Sequence, residues 1–206
     1  MATEVDICNA ALSLLGCRAD VVSINPVEGG AHSERLAREY PIARNLVLES
    51  HDWAFAIRRA SLALVRTDSN GWGYVYAKPS RARSVIAVLP EDDKYFENPQ
   101  DFCVEIDPES GAELIYTDQE NAVCRYTELA ENANKYPESF SQAVTLLLAS
   151  RMAGAVIKGT QGMQVAESMM KQFNVALAQA KHFDQKQRRK TRVPSSSWTK
   201  AAERRI

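Results

Sequence analysis

Apolar residues recur at three- and four-residue spacing in four stretches, and each predicts a helix. Residues 4–16 place Val5, Cys8, Ala11, Leu12 and Leu15 on one face, with Gly16 as the stop. Residues 33–50 do the same with Leu36, Tyr40, Ala43, Leu46 and Val47, while Arg38, Arg44, Asn45 and Glu49 are assigned to the outer face. Ser33 is the expected cap, and Pro41, inside the helix, predicts a kink over 37–40. Residues 137–158 open on Pro137 and are apolar most of the way round, as befits a central buried helix; Ala149, Ala153 and Gly154 would let a neighbour approach. Residues 163–182 carry Val165, Ala166, Met169, Phe173, Ala176, Leu177 and Ala180 in register, and Gly159 and Gly162 bracket the turn that makes the last two helices a hairpin.

Between the second and third helices the period changes to two. Trp53, Phe55 and Ile57 alternate with Ala54, Ala56 and Arg58, so a strand is expected to leave the helix at Trp53. Strands are predicted at 54–65, 73–77, 84–89, 102–106, 113–117 and 123–127, with turns at 67–71, 107–111 and 118–121; Asn70-Gly71 is a strong tight-turn signal. The resulting class is α+β: about four helices with an antiparallel β-meander inserted over 53–128, forming one unit over 1–182, and an extended arm over 183–206. Trp72, Tyr74 and Tyr76 fall on one strand face as a core or contact stripe, since no Lys or Arg interleaves them.

Length and charge sharpen this picture. A chain of 206 residues should bury roughly 70% of its unfolded surface, so no disulfide is required. Cys8, Cys17, Cys103 and Cys124 form no C-x-x-C pair and have no His at ligand spacing, which argues for buried free thiols and against zinc. The first residues lack a basic signal region, and no apolar run is long enough to span a bilayer. The net charge of −1 is unevenly divided. From Phe183 onward eight basic residues face Asp184 and Glu203, leaving +6; the rest, with 17 basic and 24 acidic residues, carries −7.

Candidate chemistry is sparse. Nucleophile elbows, phosphate loops and dinucleotide fingerprints are all missing, and Gly71-Trp72-Gly73 is a hairpin turn. His32, His51 and His182 are isolated in sequence and read as surface or capping residues, while acidic pairs in loops such as 91–93 are common by chance. The expectation is a non-enzyme with no catalytic, cofactor or metal residues. Trp53 and Phe55 are expected to anchor the helix–sheet junction; Arg44, Arg58 and Arg59 read as solvated, unless one pairs with a carboxylate across it. The arm has three readings: a solvated tail, a phosphate binder through Arg188, Arg189 and Lys190, or a segment that orders on a protein partner through Val193, Pro194 and Trp198. The lone Trp between basic clusters favours the third.

The order of motifs carries a resemblance. Ala11 to Gly16, the Tyr40-Pro41-x-Ala43-Arg44 helix, the His51-x-Trp53-x-Phe55-Ala56-x-Arg58-Arg59 segment, the hairpin at 71–76 and the closing helical pair together resemble the tail tubular protein A, or head-to-tail adaptor, family of short-tailed phages. The resemblance implies a structural virion protein of the tail or neck, assembled in the host cytoplasm. It implies a homo-oligomeric ring, dodecameric, beneath the portal protein, extending the channel for genomic DNA and receiving the tail nozzle. Tyr40, Pro41, Arg44, Trp53, Phe55 and Arg58 would be its structural motif, and Arg188, Arg189, Lys190, Arg192 and Trp198 the contacts with portal or neighbouring subunit. Two other classes stay open, a DNA-binding module acting through the arm and a tail-associated cell-wall hydrolase.

Overall fold

The computed structural model describes residues 2–93 and 98–187. It is an α+β protein with four helices and antiparallel sheets.

Helix α1, Glu4–Leu14, starts on a reciprocal cap: the Thr3 hydroxyl accepts from the Asp6 amide at 3.1 Å, and the Asp6 carboxylate accepts from the Thr3 amide at 2.8 Å. It stops at Gly16, whose φ of 74° permits the amides of Gly16 and Cys17 to return to the carbonyls of Ser13 and Leu12. Asn9 then imitates a strand edge, giving and receiving hydrogen bonds with the Val21 backbone at 2.9 and 3.0 Å. That contact seats a small hairpin, β1 at Val21–Ile24 and β2 at Val27–Gly29.

Helix α2, Ser33–Glu49, has His32 at its N-cap position with no side-chain capping bond, and Ser33, the expected cap, lies inside the helix with its hydroxyl buried and without a partner among the described residues. The helix continues through Pro41. Leu36, Tyr40, Ala43 and Val47 are buried as expected, but Leu46 is 46% exposed and Arg44 only 8%. The two positions exchange the roles given them by the sequence pattern.

The strand predicted from Trp53 begins later. Ala54–Ala56 form one 3-10 turn, and β3 is Ile57–Ser61. After Leu62 the chain enters β4, Ala63–Ser69; then come β5, Trp72–Ala77, β6, Ala82–Leu89, β7, Phe102–Ile106, β8, Glu113–Thr117, and β9, Val123–Glu128. Asn70 and Gly71, with φ of 55° and 83°, make the tight turn between β4 and β5. The strands do not run as one meander. They form two sheets, in the orders β3-β9-β6 and β4-β5-β8-β7, so the 118–121 turn carries the chain from one sheet to the other instead of closing a hairpin. Tyr76, Val88, Ile115, Ala122 and Cys124 fill the space between the sheets.

The outer face of the larger sheet is closed by its own residues. Arg66, Val75, Tyr116 and Cys103 lie opposite one another across its four strands. Arg66 donates to Asp107 at 2.8 Å and to the Tyr116 hydroxyl at 3.2 Å. Trp72 packs with this outer cluster while Tyr74 and Tyr76 pack inside, so the expected single aromatic stripe divides at Gly73.

Helix α3, Glu138–Val156, is the central helix, flanked by α1, α2 and helix α4, Thr160–Lys186. Gly154 faces open space and Ala149 and Ala153 are buried; Gly162 lies inside α4, against the Ile157 carbonyl. The largest core gathers α1 to α4 with Trp53, Ala56, Ala133 and Tyr136. Helix α4 outruns its expected end at 182, because Asp184 in its last turn is tied to the junction and 6% exposed.

Candidate functional site

Helices and strands meet at the segment that leaves α2. Trp53 is 1% exposed; its indole N–H donates to the Val47 carbonyl at 2.8 Å, which caps the end of α2 from within the core. Its ring meets Phe140 edge-on at 5.0 Å, and Phe140 also takes Phe55 at 5.0 Å and Tyr136 at 4.8 Å. The 3-10 turn at 54–56 explains the misread strand: it directs Trp53 and Phe55 into one aromatic cluster, as alternation on a strand would have done.

The carboxylate of Asp184 reaches this segment from α4. One oxygen accepts from the Ala54 amide at 2.8 Å; the other lies 3.1 Å from His51 Nε2, whose N–H donates to it. His51 also stands edge-on to Trp53 at 5.1 Å. It is therefore not an isolated surface histidine, although its partner is 133 positions away in sequence. Arg58 turns back to the carbonyls of Phe55 and Ile57 and pairs with Glu128 at 3.0 Å; Arg81 takes the other oxygen of Glu128, also at 3.0 Å. The expectation of a solvated Arg58 gives way to its alternative, a carboxylate across the junction, because β3 and β9 are neighbours.

Tyr40, Pro41 and Arg44 sit one to three turns back along α2. Arg44 lies over the Tyr40 ring, its Cζ 5.9 Å from the centroid, and donates from Nε to Asn45 at 3.1 Å. The sequence did hold a signal for its burial, since Leu36, Tyr40 and Arg44 follow one another at four-residue spacing on the apolar face. Burial pushes the hydroxyls of Tyr40 and Tyr136 upward in pKa, and the Arg44 charge opposes this at both.

A depression of about 480 Å³ lies between the end of α2 and β6. Glu49 to Arg83, and Lys78 to Glu113 at 2.7 Å, close ion pairs across its lining. These four charged groups are engaged with one another, and His51, which also lines it, is held by Asp184. Among the described residues no three His, Cys, Asp or Glu side chains stand together as a metal site, and no helix is long and apolar enough to cross a membrane.

The structure thus brings Trp53, Phe55 and Arg58 together at one joint and adds His51, Asp184 and Glu128, which the sequence reading did not select. Tyr40 and Arg44 form a neighbouring group with Tyr136. Arg188, Arg189, Lys190, Arg192 and Trp198 lie outside the described residues. Comparison with known proteins finds no matching family model and no matching curated protein.

Proposed function

We propose that this chain is a structural subunit of a phage head-to-tail adaptor ring, with a helical bundle, an inserted β region and an extended basic arm. The observation that carries the reading is the joint. The residues of the family-like segment, Trp53, Phe55 and Arg58, hold the helices to the strands, and Asp184 ties to the same place the helix from which the arm departs. A ring subunit needs unlike lateral faces and a reach to the next component. The helical core, the two larger β-sheets and a basic segment beyond Gln187 offer such unlike surfaces.

In this reading identical subunits, twelve in number, sit beneath the portal protein in the virion neck. The body, at −7 before Phe183, repels the DNA that passes through the channel, and the arm engages the portal or a neighbouring subunit through Arg188, Arg189, Lys190, Arg192 and Trp198. The tail nozzle docks below.

The test is particle mass, measured on the full chain alone and after mixing with portal rings of the same phage at physiological salt. A portal complex carrying a full set of added subunits, lost when the chain ends at Gln187, supports the adaptor. The cut belongs after Gln187 because Asp184 is part of the folded joint. A monomer indifferent to the portal, with DNA affinity that falls steeply with salt, refutes the adaptor and favours phosphate binding by the arm.

A further inference from the structure

Among the described residues Arg44 is a buried cation without a counter-charge. Its residue is 8% exposed, its Nε is used by Asn45, and among the described residues no carboxylate comes within 4.0 Å of it. Beneath it the Tyr40 hydroxyl is buried, and the Tyr136 hydroxyl, which donates to the Ala130 carbonyl at 2.6 Å, turns its lone pairs to Arg44 and Tyr40, so the neighbours of the guanidinium are neutral. Burying an unpaired guanidinium is costly, and its two Nη ends suit the two oxygens of a carboxylate.

Arg44 lines a pocket of about 500 Å³. Pro41 and Ile24 give it an apolar wall, Asn25 an amide, and Glu4 and Glu131 two carboxylates that no described cation pairs. One cation is set among two anions. The stretch beyond Gln187 contains a single acidic residue, Glu203, followed by Arg204, Arg205 and Ile206. Its charge pattern is the inverse of the pocket's. Glu203 lies sixteen steps along the chain from Gln187, enough to span up to about 55 Å.

We propose that the pocket is the receptor for the Glu203-Arg204-Arg205-Ile206 segment. The Glu203 carboxylate takes the Nη groups of Arg44, the two arginines take Glu4 and Glu131, and Ile206 lies against Ile24 and Pro41. Asn25 is placed to bond the segment's backbone. The docking does not depend on the adaptor reading: it holds for a monomer that receives its own segment and for a ring in which each subunit receives its neighbour's.

Hydrogen exchange read by mass spectrometry on the full chain tests it. The amides of 200–206 should exchange at least about tenfold more slowly than in the same peptide free in solution. That protection should vanish in Glu203→Arg and in Arg44→Met, with melting confirming that the Arg44 variant is folded. Glu131→Lys, at an exposed rim position, should weaken it too and decides the matter if Arg44→Met does not fold. Protection that strengthens with protein concentration assigns the segment to a neighbouring chain; protection independent of it assigns the segment to the same chain, and either result supports the docking. Free-peptide exchange in the wild type, or protection that survives Glu203→Arg or a folded Arg44→Met, overturns it.

Discussion

Replacing Asp184 by Ala should destabilise the protein by about 2–4 kcal/mol, although the residue lies near the end of the last helix. The magnitude follows from two contacts. The bond from the Ala54 amide, 2.8 Å long, ends on a carboxylate whose side chain is 4% exposed, and a hydrogen bond to a charged group of this kind contributes about 1.5–3 kcal/mol. The contact with His51, whose side chain is 17% exposed, adds about 0.5–1 kcal/mol. For a chain of this size the loss corresponds to a fall of roughly 5–15 °C in Tm. Asp184→Asn keeps an acceptor for Ala54 and removes only the charge, so it should cost about 1 kcal/mol. Urea unfolding followed by circular dichroism gives both values, and exchange at the Ala54 amide reports the joint directly. If Asp184→Ala unfolds within about 0.5 kcal/mol of wild type, α4 is not held at the joint and the reasoning fails.

Three further outcomes follow from other parts of the molecule. The Ser110 hydroxyl, and then Arg66, pull the Asp107 carboxyl from 3.8 down to about 2, so its contribution to stability is complete above about pH 4 and lost as pH falls through 2. Asp107→Asn should remove that segment of the Tm-against-pH curve, and an unchanged acid limb would exclude the brace. Burial raises the thiols of Cys8 and Cys124 to about 12; alkylation timed by mass spectrometry should therefore reach these two only on unfolding, after the half-buried Cys17 and Cys103. Gly162→Ala forces a methyl group into the Ile157 carbonyl and should cost about 1–3 kcal/mol in denaturant titration. Gly154→Ala meets open space inside a helix and should stabilise by about 0.5–1 kcal/mol; equal effects at the two glycines would contradict the packing.

Where a contact is local, the sequence discloses it. The period of α4 runs from Val165 to Ala180, and the seven residues it marks, Val165, Ala166, Met169, Phe173, Ala176, Leu177 and Ala180, all join the main core. Asn70-Gly71 specifies its own turn. The pairing of β9 with both β3 and β6 has no such mark, because each turn fixes only its two neighbours and the register of distant strands is settled by packing. The candidate site divides in the same way. Trp53 and Phe55 are conspicuous as aromatics, but Asp184 sits in Lys181-His182-Phe183-Asp184-Gln185, a run as polar as the solvated face of any helix. Its partner Ala54 is 130 positions away, and nothing adjacent in the chain announces it. Arg44 differs for another reason: its charge argues for the outer face, its four-residue spacing from Tyr40 and Leu36 for the apolar one, and the helix obeys the period.

The bond from Asp184 to Ala54 also sets a load path. Tension on the chain beyond Gln187 would ordinarily peel α4 away from α3, one turn after another, starting at its free end. Because the last turn of α4 is fastened at the entrance to β3, the pull is shared with the β3–β9 ladder before the helical pair can open. A chain built this way meets a pull beyond Gln187 with strand-to-strand hydrogen bonds as well as helix packing.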